Sequence, residues 1–162
     1  MIKRSKTNKI ILHCSATIEG KDFKAAEIKR WHLQRGFSDI GYHYVIDLDG
    51  KIEAGRREDL QGAHTVGENA VSLGICYIGG LDKNSKPKDT RTDAQKKAMY
   101  ELLKKMMEKY NLTINDVYLH YQFANKACPC FKIEDLKKEY NAWLKKNKKP
   151  IICPHCGKEI YN

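Results

Sequence analysis

Apolar residues recur along this chain in short blocks separated by charged and glycine-bearing segments, and the spacing within each block predicts an element. Lys9 to His13 reads as a short buried strand entered from a basic arm. Asp22 to Gln34 reads as a helix, with Ile28 and Trp31 on one face and Gly36 as its stop. Tyr42 to Leu48 and Lys51 to Ala54 are strand-like runs, and Asp49-Gly50 between them is a two-residue hairpin signal. Ser72 to Ile78 is a further apolar strand, closed by Gly79-Gly80 and followed by a polar loop over 82–91. Thr92 to Tyr110 predicts the longest helix. Thr92 with Gln95 three residues on matches a capping box. Ala98, Met99, Leu102, Leu103, Met106 and Tyr110 then recur at helical spacing, a stripe suited to a core. Val117 to Leu119 is a short strand running into His120, and Ile133 to Leu144 is a last amphipathic helix. Strands and helices alternate throughout, which gives an α/β class. A Lys-rich linker from Lys145 to Pro150 leads to a twelve-residue tail, so the chain divides into a domain over 1–144 and an appendage over 145–162.

Composition narrows the picture. A length of 162 residues suits one domain, and 41% hydrophobic content with nine tyrosines argues against a disordered chain. The apolar runs are too short to span a membrane. The N-terminus is basic, but only Ile10-Ile11-Leu12 follow as an apolar block, too short for a signal-peptide core. The expectation is a protein that resides in the cytoplasm of the cell producing it. The net charge of +10 invites a nucleic-acid reading until it is located. The first nine residues hold four bases and no acid, and residues 131–162 hold eight lysines against four acids. Eight of the ten excess charges therefore lie at the two ends, and no nucleic-acid signature accompanies them. Solubility, or attraction to an anionic envelope, accounts for them without a specific nucleic-acid partner.

Six cysteines would permit three disulfides in an oxidising compartment, but the missing signal sequence points to free thiols or metal ligands. Cys76, inside an apolar run, reads as a buried thiol. His13 and His120 each end a strand, and Cys128 follows eight residues after His120. Two imidazoles and one thiolate form a three-ligand zinc site with an open position, the catalytic pattern. Spacing alone leaves this triplet one of many that six histidines allow.

The strings around these residues narrow the choice. Ile10-Ile11-Leu12-His13-Cys14-Ser15-Ala16-Thr17, Gly41-Tyr42-His43-Tyr44-Val45-Ile46, Glu53-Ala54-Gly55-Arg56, Gly62-Ala63-His64, Ser72-Leu73-Gly74-Ile75-Cys76 and Lys126-Ala127-Cys128-Pro129 occur in order. Together they resemble the zinc-dependent N-acetylmuramoyl-L-alanine amidases of the phage-lysozyme and peptidoglycan-recognition-protein superfamily, from about Lys9 to Leu144. The resemblance implies a single domain with a central mixed sheet flanked by helices. It implies peptidoglycan as substrate and His13, His120 and Cys128 as ligands of one zinc ion. Tyr42 and Lys126 match residues that assist catalysis, and His64 matches a histidine lining the substrate groove. The chain departs from the closest phage pattern at two places: Cys130 stands for Ser, and Tyr121 stands for a second His. Cys130 thus competes with Cys128, although Cys128 keeps the register with Lys126. Cys14 alternates to the opposite strand face from His13, so its side chain is expected in the core. No His-Glu-x-x-His helix is present, which sets the zincin scheme aside.

Cys153-Pro154-His155-Cys156 in the tail is half of a zinc knuckle. A half-site completed by a second chain, a redox dithiol and a tail without function all fit it, so a tail-mediated dimer stands beside the simpler monomer. Three functions remain in competition: the amidase, a non-catalytic peptidoglycan-binding module of the same fold, and a nucleic-acid-binding or regulatory protein using the basic ends. Retention of Cys128 favours the first.

Overall fold

The structure is a computed structural model that describes residues 1–147 and, by backbone alone, 151–152 and 159–160. In chain order the elements are β1 (Lys9–Cys14), β2 (Thr17–Ile18), α1 (Ala25–Gln34), β3 (Tyr44–Ile46), β4 (Ile52–Ala54), β5 (Ser72–Tyr77) and β6 (Gly80–Leu81). They continue with α2 (Asp93–Tyr110), β7 (Val117–Leu119), α3 (Ile133–Lys146), β8 (Ile151–Ile152) and β9 (Glu159–Ile160). Five strands form one sheet in the order β4-β3-β5-β1-β7. The β3–β4 pair is antiparallel and the other pairs are parallel, so the sheet is mixed. Every residue of β5 is buried, as expected for a central strand covered on both faces.

Side-chain alternation sorts the sheet into two cores. Ile10, Leu12 and Cys14 of β1, with Leu73, Ile75 and Tyr77 of β5, pack against the Met99, Leu103 and Met106 stripe of α2 and against Leu136 and Tyr140 of α3. On the opposite face a smaller cluster joins Ala25 and Ile28 of α1 to Val45 and Ile78. Ile11 and His13 alternate toward that second face.

The capping box on α2 forms as its sequence predicts: the Gln95 amide donates to Thr92 Oγ1 at 3.0 Å, and Thr92 N donates to Gln95 Oε1 at 3.0 Å. Gln95, fully buried, also donates through Nε2 to the carbonyls of Ile46 and Ile78 at 3.1 and 2.9 Å. The cap therefore fastens the helix start to the sheet.

Several boundaries differ from expectation. Helix α1 begins at Ala25, three residues later than the pattern suggests, because Lys24 is extended and its amide donates to Glu27 Oε2 at 2.8 Å. The hairpin loop has three residues, Leu48 to Gly50, not two. Asp47 N donates to Lys51 O at 2.9 Å, Gly50 N donates to Asp47 O at 2.9 Å, and Gly50 sits at φ +84. The loop is thus a three-residue turn closed by a left-handed glycine. Helix α3 runs two residues past Leu144. Two features were not foreseen. Thr17–Ile18 pairs with Gly80–Leu81 as a small parallel ladder. The N-terminal arm docks on the loop before β5, through Arg4 N to Asp59 O at 2.8 Å and Asn8 N to Val71 O at 3.0 Å.

Docking of the arm uses part of its charge. Lys9 pairs with Glu68 at 2.7 Å, and Arg4 Nη2 donates to the Tyr110 hydroxyl at 3.3 Å. No described helix is long and apolar enough to cross a membrane. Cys153 and Cys156 lie outside the described residues, and so does the half-knuckle reading.

Candidate metal centre

Strands β1 and β7 run in parallel and pair through Leu12 and Leu119. The next residue on each, His13 and His120, therefore emerges at the same end of the sheet, and their ring centroids lie 4.5 Å apart. After a single 3-10 turn over His120–Gln122 the chain loops back, and Tyr121 N donates to Cys128 O at 2.9 Å. That bond delivers Cys128 to the two histidines. The ligand atoms of His13, His120 and Cys128 lie within 4.8 Å of one another. Cys128 Sγ stands 3.9 Å from His13 Nδ1 and accepts a hydrogen bond from the Cys14 amide at 3.2 Å. That amide fixes the sulfur at the end of β1, beside the two imidazoles.

The electrostatics suit metal binding. His13 is fully buried, and burial first, then the charges of His64, His120 and Lys126, lower its pKa well below the ordinary value. Burial and Lys126 lower that of His120. Both imidazoles are thus neutral at neutral pH, the form that ligates. Two neutral imidazoles and one thiol, with no carboxylate among them, make a donor set for a borderline-soft divalent ion and leave a position free.

Cys130 points elsewhere. Its Sγ lies 3.8 Å from Cys14 Sγ, and its backbone is left-handed at φ +73. The Cys14 thiol is pushed up to about 12, chiefly by its hydrogen bond with Cys128, and the Cys130 thiol is raised by its bond with Cys14. Cys14 lies in the α2 core, as its strand parity predicts, while its backbone amide serves the site. Tyr121 is likewise turned to the fold: its hydroxyl accepts from Ile133 N at 3.2 Å, at the start of α3.

A cleft of about 440 Å³ meets the triplet at His120 and is lined also by Tyr42, His64 and Lys126 together with His32 and Arg35. The Tyr42 ring lies 5.1 Å from that of His13. Burial, and then the neighbouring thiols, push its phenol well above its ordinary pKa, so it remains a donor at neutral pH. Lys126 stands exposed at the rim. His64 lines the wall, yet its Nδ1 is 3.0 Å from His13 Nε2 and its Nε2 is buried without a partner.

Sequence reasoning did not single out His32. Its Nδ1 accepts from Gly41 N at 2.9 Å, and its ring lies 5.4 Å from that of Tyr42. Its place four residues after Ile28, on the buried face of α1, is the signal that could have found it. Arg35, stacked on Phe37 at 5.3 Å, carried no such signal.

With this geometry in view, the likeness to known proteins is consistent along the chain. The family described as N-acetylmuramoyl-L-alanine amidase matches residues 3–131. The endolysin of Klebsiella phage KP32 is 40% identical over 145 residues, covering 90% of each chain. The endolysin of Escherichia phage T7 is 39% identical over 145 residues, again covering 90% of each. Among solved structures, the N-acetylmuramoyl-L-alanine amidase LysC from Clostridium intestinale URNW superposes with a TM-score of 0.71. It is 33% identical and covers 83% of this chain and 85% of its own. This chain belongs to the N-acetylmuramoyl-L-alanine amidase family.

Proposed function

We propose that the protein is a phage-type endolysin that hydrolyses the amide between the lactyl group of N-acetylmuramic acid and L-alanine in peptidoglycan, with zinc as its cofactor. The observation that carries this reading is the convergence of His13, His120 and Cys128 beside an open cleft that His120 lines. The family match and the endolysin relatives support the same reaction.

The chemistry needs a nucleophile, a means to hold the oxyanion and a proton for the leaving amine. A bound zinc supplies Lewis acidity, polarising the scissile carbonyl and acidifying water. The chain's own groups do the rest. A thiolate donates more charge to a metal than imidazole does, so donors near the oxyanion gain importance. Lys126 extends a cation from the rim toward the cleft, where the oxyanion develops. Tyr42, held protonated, donates a hydrogen bond or passes a proton at the same place. His64 and Thr65 close the wall on the side of His13.

The catalytic unit is residues 1–144, with 145–162 as an appendage. It acts as a monomer, collects in the cytoplasm of the producing cell and reaches the wall after release. A zymogram on bacterial cell walls tests the core of this reading. Clearing is lost with chelator and restored by zinc; clearing that persists after exhaustive chelation refutes the zinc assignment, and no clearing under any condition refutes the activity.

A further inference from the structure

We infer that His64 is a positioning residue whose Nδ1 accepts the Nε2 proton of His13 and so fixes the His13 tautomer that presents Nδ1 to the metal. The inference rests on the zinc reading above and changes the part assigned to His64, from a contact with substrate to a support for a ligand.

The argument begins with His13. Its Nδ1 faces Cys128, so Nδ1 is the ligand atom. A ligating nitrogen carries no hydrogen, and a neutral imidazole has one, so the proton must sit on Nε2. That nitrogen is fully buried and needs an acceptor. It has two neighbours: His64 Nδ1 at 3.0 Å and the Thr65 hydroxyl at 3.3 Å. Thr65 Oγ1 also lies 3.1 Å from His64 Nδ1; its hydroxyl carries its own proton and sits beside His64 as a second acceptor for His13 Nε2.

The surroundings of His64 are built to hold its ring there. The amides of His64 and Thr65 both donate to Asn69 Oδ1, at 2.9 and 3.0 Å. The ring lies in a slot between two glycines, and a Cβ at Gly62 or Gly74 would come within 2.3 or 2.5 Å of its Cδ2. Its Nε2 points into this slot, buried and without a partner. With Nδ1 given to His13 and Nε2 enclosed, neither nitrogen is free to reach a substrate in the cleft. A ligand histidine held from behind by a hydrogen-bond acceptor is a recurrent way of setting ring orientation and metal affinity.

The test measures zinc affinity on the full chain by competition with a chelating dye, for the parent, His64→Leu and His64→Asn. Asparagine places an oxygen near the position of Nδ1; leucine does not. His64→Leu weakens zinc binding roughly 10- to 100-fold and His64→Asn recovers most of that loss. Ring 15N spectra of the zinc-loaded parent show the His13 proton on Nε2, a readout that does not depend on how the variants fold. The inference is overturned by parent affinity in His64→Leu, by equal losses in both variants, or by a His13 proton on Nδ1. It is also overturned if His64→Leu keeps zinc and raises only the KM for peptidoglycan, the mark of a substrate contact. A parent that binds no zinc removes the cofactor reading and this inference with it; a parent that binds zinc with His64→Leu unchanged removes this inference alone.

Discussion

Replacing Lys126 with alanine separates catalysis from metal binding and from folding. The Lys126 side chain is exposed and makes no ion pair among the described residues; its backbone amide donates to Ala124 O at 2.8 Å. Truncation should therefore change stability by less than about 0.5 kcal/mol. Its charge is nonetheless felt in the site, because it lowers the basicity of both His13 and His120. Removing one preorganised donor from a developing oxyanion costs about 10²- to 10³-fold in turnover, or roughly 2.7–4 kcal/mol. An ammonium at the rim is partly screened by water, so the lower end applies, about 10²-fold. The assay follows release from dye-labelled peptidoglycan, with zinc content and melting temperature measured on the same sample. The loss should fall on kcat, and Lys126→Arg should restore part of it. Turnover at the parent rate refutes the role. Loss of zinc together with activity assigns Lys126 to the metal site instead.

Other consequences follow from the packing around the site. Tyr77→Phe deletes the hydroxyl that donates to Pro129 O at 2.8 Å and leaves that carbonyl buried; it should cost about 1–3 kcal/mol in urea unfolding and weaken zinc, since Cys128 precedes Pro129. An unchanged unfolding midpoint would show that this bond does not hold the ligand loop. Gln95→Leu strands the carbonyl of Ile78 and the Thr92 amide, while Ile46 O keeps its bond from Ile78 N at 3.0 Å, and should cost about 2 kcal/mol or more in the same measurement. Glu58 provides a pH signature. Burial alone would raise its pKa, but hydrogen bonds from Tyr110, Tyr44 and Lys109 hold it at about 2, against an ordinary 4.5. Its folded pKa is depressed, so its stabilisation is full above about pH 4.5 and is lost as pH falls toward 2. Glu58→Gln should remove that dependence, a difference of about 1–2 kcal/mol across the window once solvent screening of this part-exposed carboxylate is counted; acid unfolding curves that overlay would contradict it.

The parts of this fold legible in the sequence are those set by neighbours along the chain. The α2 capping box is specified by Thr92 and Gln95, and the burial of β5 by an unbroken apolar run. The hairpin was legible as a hairpin, but its loop length was not: the pairing of Asp47 with Lys51 makes Gly50 the closing residue. The start of α1 was misplaced because Asp22 and Phe23 suit a helix by type. Phe23 instead packs on Trp31, with ring centroids 4.9 Å apart, while Glu27 caps the helix from inside. The β2–β6 ladder and the docked arm involve two to seven residues with no periodicity, so only tertiary contact defines them.

The site shows the same division between side-chain pattern and backbone. Strand parity correctly sends Cys14 into the core and His13 to the opposite face, against His64 and His120, because parity is a property of side chains. It says nothing of the amide between them, and that amide makes the site. Just past β1, Ser15 N bonds to Tyr77 O of β5 at 2.9 Å, so the preceding amide of Cys14 points to the β7 side. Pairing with β7 ends at Leu12 and Leu119, two residues earlier. The Cys14 amide is therefore left without a ladder partner and is available to the Cys128 sulfur. The same early end of β7 releases His120 beside His13. One short strand thus produces both the second histidine and the donor that orients the Cys128 sulfur, and a register, not a motif, is what the chain must preserve to keep His13, His120 and Cys128 together.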